Sequence, residues 1–374
     1  MSQLFQAAEK IVFDAYSASK QPWVVAYSGG KDSSVVLDLF LRAAGKFKSG
    51  PQIYVVSNNT RVESPLVSDQ LDEMHRILKA YVDEENLNVS VHLTMPPVSD
   101  SFWTNLIGKG YPPPTQMFRW CTSRLKIDPT SRFLDSKLGN KGAVIAVGTR
   151  SAESASRSNQ INKHQTSEYF SNHTSRQDTQ LFMPIRHWSD EDVWEYLAAT
   201  EPPWGGDYMD LINLYREAYG GECPVVADVS ALRQPSCGER SPRFGCWTCT
   251  LVETDFSLQG LIDTGHENLR PLYEFRNWLV TARKDKQNRL PINRKGQVRY
   301  KNGELVFGPF RMEFRKEILE RLLLVQKAYG KELVSSEEIT HIQESWEDDE
   351  LLLSLYRGQK IPMYEHNQNV FVMC

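Results

Sequence analysis

The sequence predicts an α/β protein: a mostly parallel, doubly wound sheet, then a Cys-rich region, then a helical C-terminal region. Three observations carry this. Short apolar runs alternate with amphipathic stretches across residues 1–200. The first run, Trp23–Tyr27, passes into a Gly-rich turn and then at once into a helical pattern. Three of the six cysteines crowd into positions 237–249, a spacing that suits metal or redox chemistry better than structural disulfides.

Residues 1–20 read as an amphipathic helix, because Glu9, Lys10 and Asp14 interrupt the apolar pattern. The stretch lacks the apolar core expected of a signal peptide. Residues 23–27 (WVVAY) have no breaker and predict a strand, with SGGKDSS as the turn and VVLDLFLRAA as the helix. Further strands are expected at 53–59, 89–95 and 143–149, and a helix at about 64–82. In such sheets ligands bind beyond the carboxyl ends of the strands. In PIRHWSDEDVWEYLAAT (184–200), Ser189 is a good N-cap and Asp190, Glu191 and Asp192 suit the positive helix end. Val193, Trp194 and Leu197 give the buried stripe, and Trp188 and Trp194 are expected in the core. After EPPWGG (201–206) the composition shifts, giving units at 1–200, 201–265 and 266–374. No repeat or low-complexity tract occurs, and residues beyond about 357 carry no pattern.

The 374 residues suffice for a sizeable core without disulfides. With 40% hydrophobic and 24% charged residues, collagen-like, fibrous and wholly disordered chains are excluded. No apolar run approaches membrane-spanning length, so a cytoplasmic protein without a membrane partner is expected. The net charge of −4 gives no overall argument for nucleic-acid binding. One segment, 283–301, is locally basic: Arg283, Lys284, Lys286, Arg289, Arg294, Lys295, Arg299 and Lys301 face a single acid, Asp285. It suits contact with DNA phosphates, with Tyr300 available for stacking, and equally suits a solvated loop.

The turn Ser28–Ser34 is the strongest local signal. Gly29 and Gly30 let the backbone bring N–H groups close to an anion, and the following helix points its positive end there. Ser28, Ser33 and Ser34 add hydroxyls, Lys31 would neutralise phosphate, and Asp32 would hold Mg²⁺. The pattern differs from the GxxxxGK[ST] loop. It resembles the SGGxDS loop of the ATP pyrophosphatases, the PP-loop enzymes. That resemblance implies ATP cleavage between the α and β phosphates and adenylation of an acceptor.

Further segments sharpen the resemblance. NNTRVESP (58–65), FRWCTSRLKIDP (118–129), GTRSAESASR (148–157) and PIRHWSDEDVW (184–194) resemble, in order, segments of phosphoadenylylsulfate-reductase-like proteins. Arg119, Lys126, Arg150 and Arg157 would supply positive charge for phosphates or sulfate, and Glu153 would position an arginine or a metal. GGECP (220–224) and SCGERSPRFGCWTC (236–249) resemble DndC-type proteins of bacterial DNA phosphorothioation and their shorter SspD relatives. The resemblance covers about residues 20–265. It implies a [4Fe–4S] cluster, a cysteine desulfurase as sulfur donor, DNA as substrate and further phosphorothioation-system subunits as partners, within a bacterial defence or DNA-modification setting.

Cys223, Cys237, Cys246 and Cys249 form one local ligand set, with Cys121 competing for the fourth place. The same thiols would serve a structural zinc site, and the CxxC pair would serve as a redox disulfide. Cys121 also stands between Arg119 and Arg124, which are expected to lower its pKa and favour a sulfur-carrying thiolate or persulfide. Lys31, Asp32, Cys121 and Arg150 are thus the expected catalytic residues. The alternatives are a sulfonucleotide reductase, a tRNA thiolation enzyme, and a non-catalytic subunit sensing ATP or redox state. A reductase's paired Cys–Cys is absent at 120–122, as is its C-terminal Glu–Cys–Gly–x–His segment.

Overall fold

The computed structural model describes residues 2–116, 118–139, 141–153, 164–173, 176, 178–219, 244–356, 361–365 and 368–372, with the backbone alone beyond 349. Helix α1 (Gln3–Ala18) buries Phe5, Ala8, Val12 and Tyr16, the stripe of an amphipathic helix. Then follow β1 (Trp23–Ala26), α2 (Lys31–Lys46), β2 (Ile53–Asn58), α3 (Pro65–Glu84) and β3 (Val89–Thr94). After them come α4 (Asp128–Leu138), β4 (Val144–Ala146), β5 (Phe170–Asn172), β6 (Gln180–Phe182) and α5 (Asp190–Ala199).

The six strands order as β3-β2-β1-β4-β6-β5. All neighbours are parallel except the edge strand β5, which runs antiparallel to β6. The β-strand period divides the two faces. Trp23 and Val25 enter the large core built with α1, α2, α3 and α5. Val24 enters the smaller core covered by Leu134 and Leu138 of α4. Chain order reverses at β1, whose neighbours are β2 and β4. The turn after β1 therefore opens into the switch-point crevice of a doubly wound sheet.

Helix α5 starts where its sequence says. Ser189 accepts from Asp192 N–H while Asp192 reaches back to the Ser189 N–H, a full capping box. Trp188 and Trp194 are buried as expected. Strand β5 at the edge and its neighbour β6, three residues each, are not among the strands expected from the sequence.

The rest of the chain forms α6 (Met209–Ala218), α7 (Phe256–Asp263), α8 (Arg270–Ala282), a hairpin of β7 (Tyr300–Lys301) and β8 (Glu304–Leu305), α9 (Met312–Tyr329) and α10 (Ser336–Tyr356). Two antiparallel strands, β9 (Ile361–Glu365) and β10 (Gln368–Val372), lie beyond them. A second core joins these helices to residues far earlier in the chain. Phe102, Trp103, Leu106, Ile107 and Trp120 share it with Trp247, Phe275, Phe314 and Ile342. Among the described residues no helix is long and apolar enough to cross a membrane.

Candidate functional site

The turn after β1 closes tightly on the start of α2. Gly29 has φ +76°, a left-handed conformation that side-chain-bearing residues rarely adopt. Ser33 Oγ donates to Gly30 O at 2.8 Å and accepts from Ser28 N–H at 3.2 Å, closing the loop on the first turn of α2. Ser34 Oγ also reaches Gly30 O, at 3.1 Å. The first N–H groups of α2 lie at this turn, that of Lys31 in hydrogen-bond reach of the Tyr215 hydroxyl.

Strand β4 delivers a cation to the same place. Gly148 lies so close that a Cβ there would stand 2.8 Å from the Asp32 carbonyl, so the backbone crosses directly over the loop. Two residues on, Arg150 is 3% exposed and donates through Nε to Asp32 Oδ1 at 2.6 Å. Its Nη2 donates to Asp190 Oδ1, and its Nη1 reaches Trp188 O at 3.3 Å. Lys31 Nζ donates to the same Asp190 oxygen at 2.7 Å and lies 3.8 Å from Asp32 Oδ2. Burial works against the Asp190 charge, but Lys31 and Arg150 outweigh it and hold that carboxyl below its ordinary value.

Two residues at this loop were not anticipated. Asp190 was read only as a helix-end charge; its ion pairs reach 159 and 40 positions back in the chain, which no local pattern reveals. Tyr215 on α6 sets its hydroxyl against the loop, 3.3 Å from where a Gly30 Cβ would stand. Burial raises its pKa, and the Asp32 charge adds to that.

One thiol, Cys246, is placed just ahead of α3. Glu63 pairs with Cys246 across an isolated antiparallel bridge. Ser64 N–H donates to Gly245 O at 3.0 Å, and Trp247 N–H to Val62 O at 3.0 Å. Cys249 N–H closes a turn on Cys246 O at 2.9 Å. Buried Arg276 pins that turn from α8, donating to Cys249 O at 2.8 Å and Glu253 O at 2.6 Å. Cys121, Cys246 and Cys249 are free thiols, and Cys249 acts electrostatically on both of the others. Cys246 Sγ lies 3.3 Å from Thr60 Oγ1, and burial, with the neighbouring Glu63, pushes its pKa well up.

These halves adjoin. Gly29 faces Leu71 and Val67 of α3, and the Glu63–Cys246 bridge lies just ahead of that helix. Tyr215, against the loop, stacks edge-on with Phe244 at 4.9 Å, two residues before Cys246. One family, the phosphoadenosine phosphosulfate reductase domain, matches residues 22–252, a span that holds the sheet, the SGGKDS loop, Arg150 and the three thiols. The chain belongs to this family. An uncharacterised protein of Methanocaldococcus jannaschii is 29% identical over 195 residues, 52% of this chain and 35% of that protein. The chain thus matches about a third of that relative's length. Among solved structures, the FMN adenylyltransferase of Candida glabrata, with FMN and an ATP analogue, is similar at 15% identity and TM-score 0.35. That likeness covers 58% of this chain and 61% of the other. A phosphoadenylyl-sulfate reductase of Candida auris gives 14% and 0.33, covering 56% and 97%. A U34-tRNA thiolase of Methanococcus maripaludis with its [4Fe–4S] cluster gives 11% and 0.34, covering 65% and 86%.

Several expected residues of this reductase-domain protein stand elsewhere than at the phosphate loop. Lys126 lies 3.5 Å from Glu63, within electrostatic range of Cys246 and Cys121. Burial opposes its charge, yet Cys246 and Glu63 hold its pKa above the ordinary value. Arg119, two residues before Cys121, is exposed and lines an open cleft of about 520 Å³ with Phe118, Trp120, Ser123, Arg124 and Asp128. Arg157, Cys223 and Cys237 lie outside the described residues.

The expected lowering of the Cys121 pKa is corrected. Burial raises it, and only Thr122 and Lys126 oppose the rise. Arg124 does not serve the thiol: it pairs with Asp100 and reaches Tyr111 Oη at 3.4 Å. Asp100 also takes Lys109 at 3.0 Å. Burial opposes its charge, but Lys109, Asn105 and Arg124 hold its pKa below the ordinary value. A depressed carboxyl stabilises the fold above its unfolded-state pKa, and that contribution fades as pH falls through the folded value. Asp100→Asn should therefore lower the melting temperature by a few degrees at about pH 7, and the difference from wild type should close towards about pH 2. Paired thermal melts across pH check this.

The basic segment is largely committed inside the protein. Arg283 donates to Pro114 O at 2.9 Å and Thr250 O at 2.5 Å. Arg289 takes Gly308 O at 2.5 Å and Phe307 O at 2.8 Å. Arg294 holds the Asp349 carboxylate at 2.8 and 3.1 Å, and Lys284 pairs with Glu253 at 2.9 Å. Burial lowers the Arg283 and Arg289 pKa values, the latter to about 10. Arg299, Tyr300 and Lys301 are exposed on or beside the β7–β8 hairpin.

The donor chemistry fits the expected ligands unequally. Left-handed Gly29, the N-terminus of α2, Lys31 and Arg150 suit a phosphate chain; Asp32 would be the carboxylate for its Mg²⁺, and in this structure it pairs with Arg150. Cys121, Cys246 and Cys249 are soft donors suited to iron–sulfur or zinc. Among the described residues, however, no three ligand-type side chains stand close enough together to hold an ion. A cluster would need Cys223 or Cys237.

Proposed function

We propose that this chain is an ATP pyrophosphatase and sulfurtransferase of the DndC type. It adenylates a backbone phosphate of DNA so that sulfur replaces a non-bridging oxygen. What supports the reading is one juxtaposition: Gly29 of the loop faces Leu71 and Val67 of α3, and Cys246 bridges Glu63 just ahead of that helix. The DndC-like Cys-rich segment of the sequence points to DNA as the acceptor.

The chemistry divides between the halves. A DNA phosphate oxygen attacks the α-phosphorus of ATP, the α–β bridging bond breaks, and pyrophosphate leaves with the electron pair. Lys31, Arg150 and the α2 N–H groups stabilise that developing charge. Mg²⁺ held by Asp32 would neutralise the phosphate chain. The product is a mixed anhydride, so AMP becomes a good leaving group. A persulfide, carried on Cys121 and supplied by a cysteine desulfurase, attacks the DNA phosphorus through its terminal sulfur, and AMP departs. A second thiol then reduces the sulfur–sulfur bond, leaving the phosphorothioate and a disulfide. A [4Fe–4S] cluster on Cys223, Cys237, Cys246 and Cys249 would supply a soft centre for sulfur or electrons beside this point.

Anaerobically purified protein should release pyrophosphate from ATP faster when DNA is added. With a cysteine desulfurase and a thiol reductant, nuclease digests of that DNA should contain phosphorothioate dinucleotides. Cys121→Ser should keep pyrophosphate release and lose the phosphorothioate. Sulfite release from phosphoadenylyl sulfate, with no pyrophosphate from ATP, would replace this reading with a sulfonucleotide reductase. Phosphorothioate formation by Cys121→Ser would remove Cys121 as the sulfur carrier.

A further inference from the structure

Cations that serve a phosphate chain are, in this structure, already matched by carboxylates. Lys31 Nζ stands 2.7 Å from Asp190 Oδ1 and 3.8 Å from Asp32 Oδ2. Arg150 holds Asp32 through Nε at 2.6 Å and Asp190 through Nη2. The four charges cancel. An incoming phosphate needs the same two cations, so one of the carboxylates must yield.

The two carboxylates are not equivalent. Asp32 belongs to the loop itself, in the first turn of α2, with its side chain 24% exposed. Asp190 is the first residue of α5, on the other side of the crevice, with its side chain 49% exposed. It is not needed to start its helix, because Ser189 and Asp192 complete the capping box without it. A single Asp190 oxygen receives both Lys31 and Arg150, the two-cation clasp that a phosphate oxygen would occupy.

We infer that Asp190 is a positioning residue that stands in for a ligand phosphate oxygen: it holds Lys31 and Arg150 in register and is displaced when a phosphate chain binds. The inference rests on the reading of Ser28–Ser34 as a phosphate loop. Binding is then an exchange of one anion for another. Asp190 weakens phosphate affinity by competing for the cations, and it keeps two like charges from drifting apart between turnovers.

Calorimetric titration of the full chain with inorganic pyrophosphate, in the absence of Mg²⁺, tests this. Asp190→Asn should bind pyrophosphate roughly tenfold more tightly than wild type, because its neutral amide competes poorly for Lys31 and Arg150. Asp190→Glu, which restores the charge, should return the affinity towards wild type. Equal or weaker pyrophosphate binding by a folded Asp190→Asn protein would overturn the inference. So would a loss seen only with ATP and Mg²⁺, which would make Asp190 a metal ligand. Absence of both pyrophosphate and ATP binding by wild type would instead reject the phosphate-loop reading beneath it.

Discussion

Replacing Arg150 by alanine should slow pyrophosphate release by about 10²–10³-fold, the usual cost of removing one fixed donor aimed at charge that develops in a transition state. Arg150 is 3% exposed and is held beside the loop by its bond to Asp32. Its loss would also leave Asp32 with only the more distant Lys31. Arg150→Lys should recover only a small part of the rate, because an ammonium cannot hold Asp32, Asp190 and Trp188 O at once. A steady-state pyrophosphate assay reads both variants. A rate within about threefold of wild type for Arg150→Ala would remove Arg150 from the chemistry.

The largest stability effect is expected at Asp38, the buried anchor of α2. Its side chain is fully buried and pairs with Arg42 one helical turn on. Tyr208 Oη donates to it at 2.7 Å and Tyr196 Oη at 3.1 Å. Helix α2 begins at the phosphate loop and α5 carries both Asp190 and Tyr196. Asp38 therefore fixes the spacing between the two sides of the crevice. Asp38→Ala strands a guanidinium and two buried hydroxyls and should cost about 3–5 kcal/mol, read by urea or thermal unfolding. A cost below about 1 kcal/mol would mean that water or a side-chain shift satisfies these groups.

What the sequence disclosed follows from the range of its signals. Strand, Gly-rich turn and helix at 23–46 are adjacent in the chain, so β1, the loop and α2 were readable, as was the Ser189 cap. Arg150 was legible because it lies just beyond a strand end, where crevice ligands sit. The rest depends on contacts across hundreds of residues. Trp103 packs on Trp247 and Phe275 in a second core, and Asp190 meets Lys31 from the far side of the crevice. Part of the basic strip shows the same limit. Arg283, Arg289 and Arg294 look solvated in sequence, yet each finds a partner in a distant loop or helix. The Cys121 thiol was read from flanking charges alone, whereas burial governs its pKa.

The most direct measurement is the identity of the products when the purified chain, with Mg²⁺ and DNA, consumes ATP. Phosphorus NMR separates AMP and pyrophosphate from ADP and inorganic phosphate. Cleavage at Ser28–Ser34 between the α and β phosphates should give AMP and pyrophosphate, and Arg150→Ala should give neither at a comparable rate. ADP and inorganic phosphate as the products would contradict the pyrophosphatase chemistry outright.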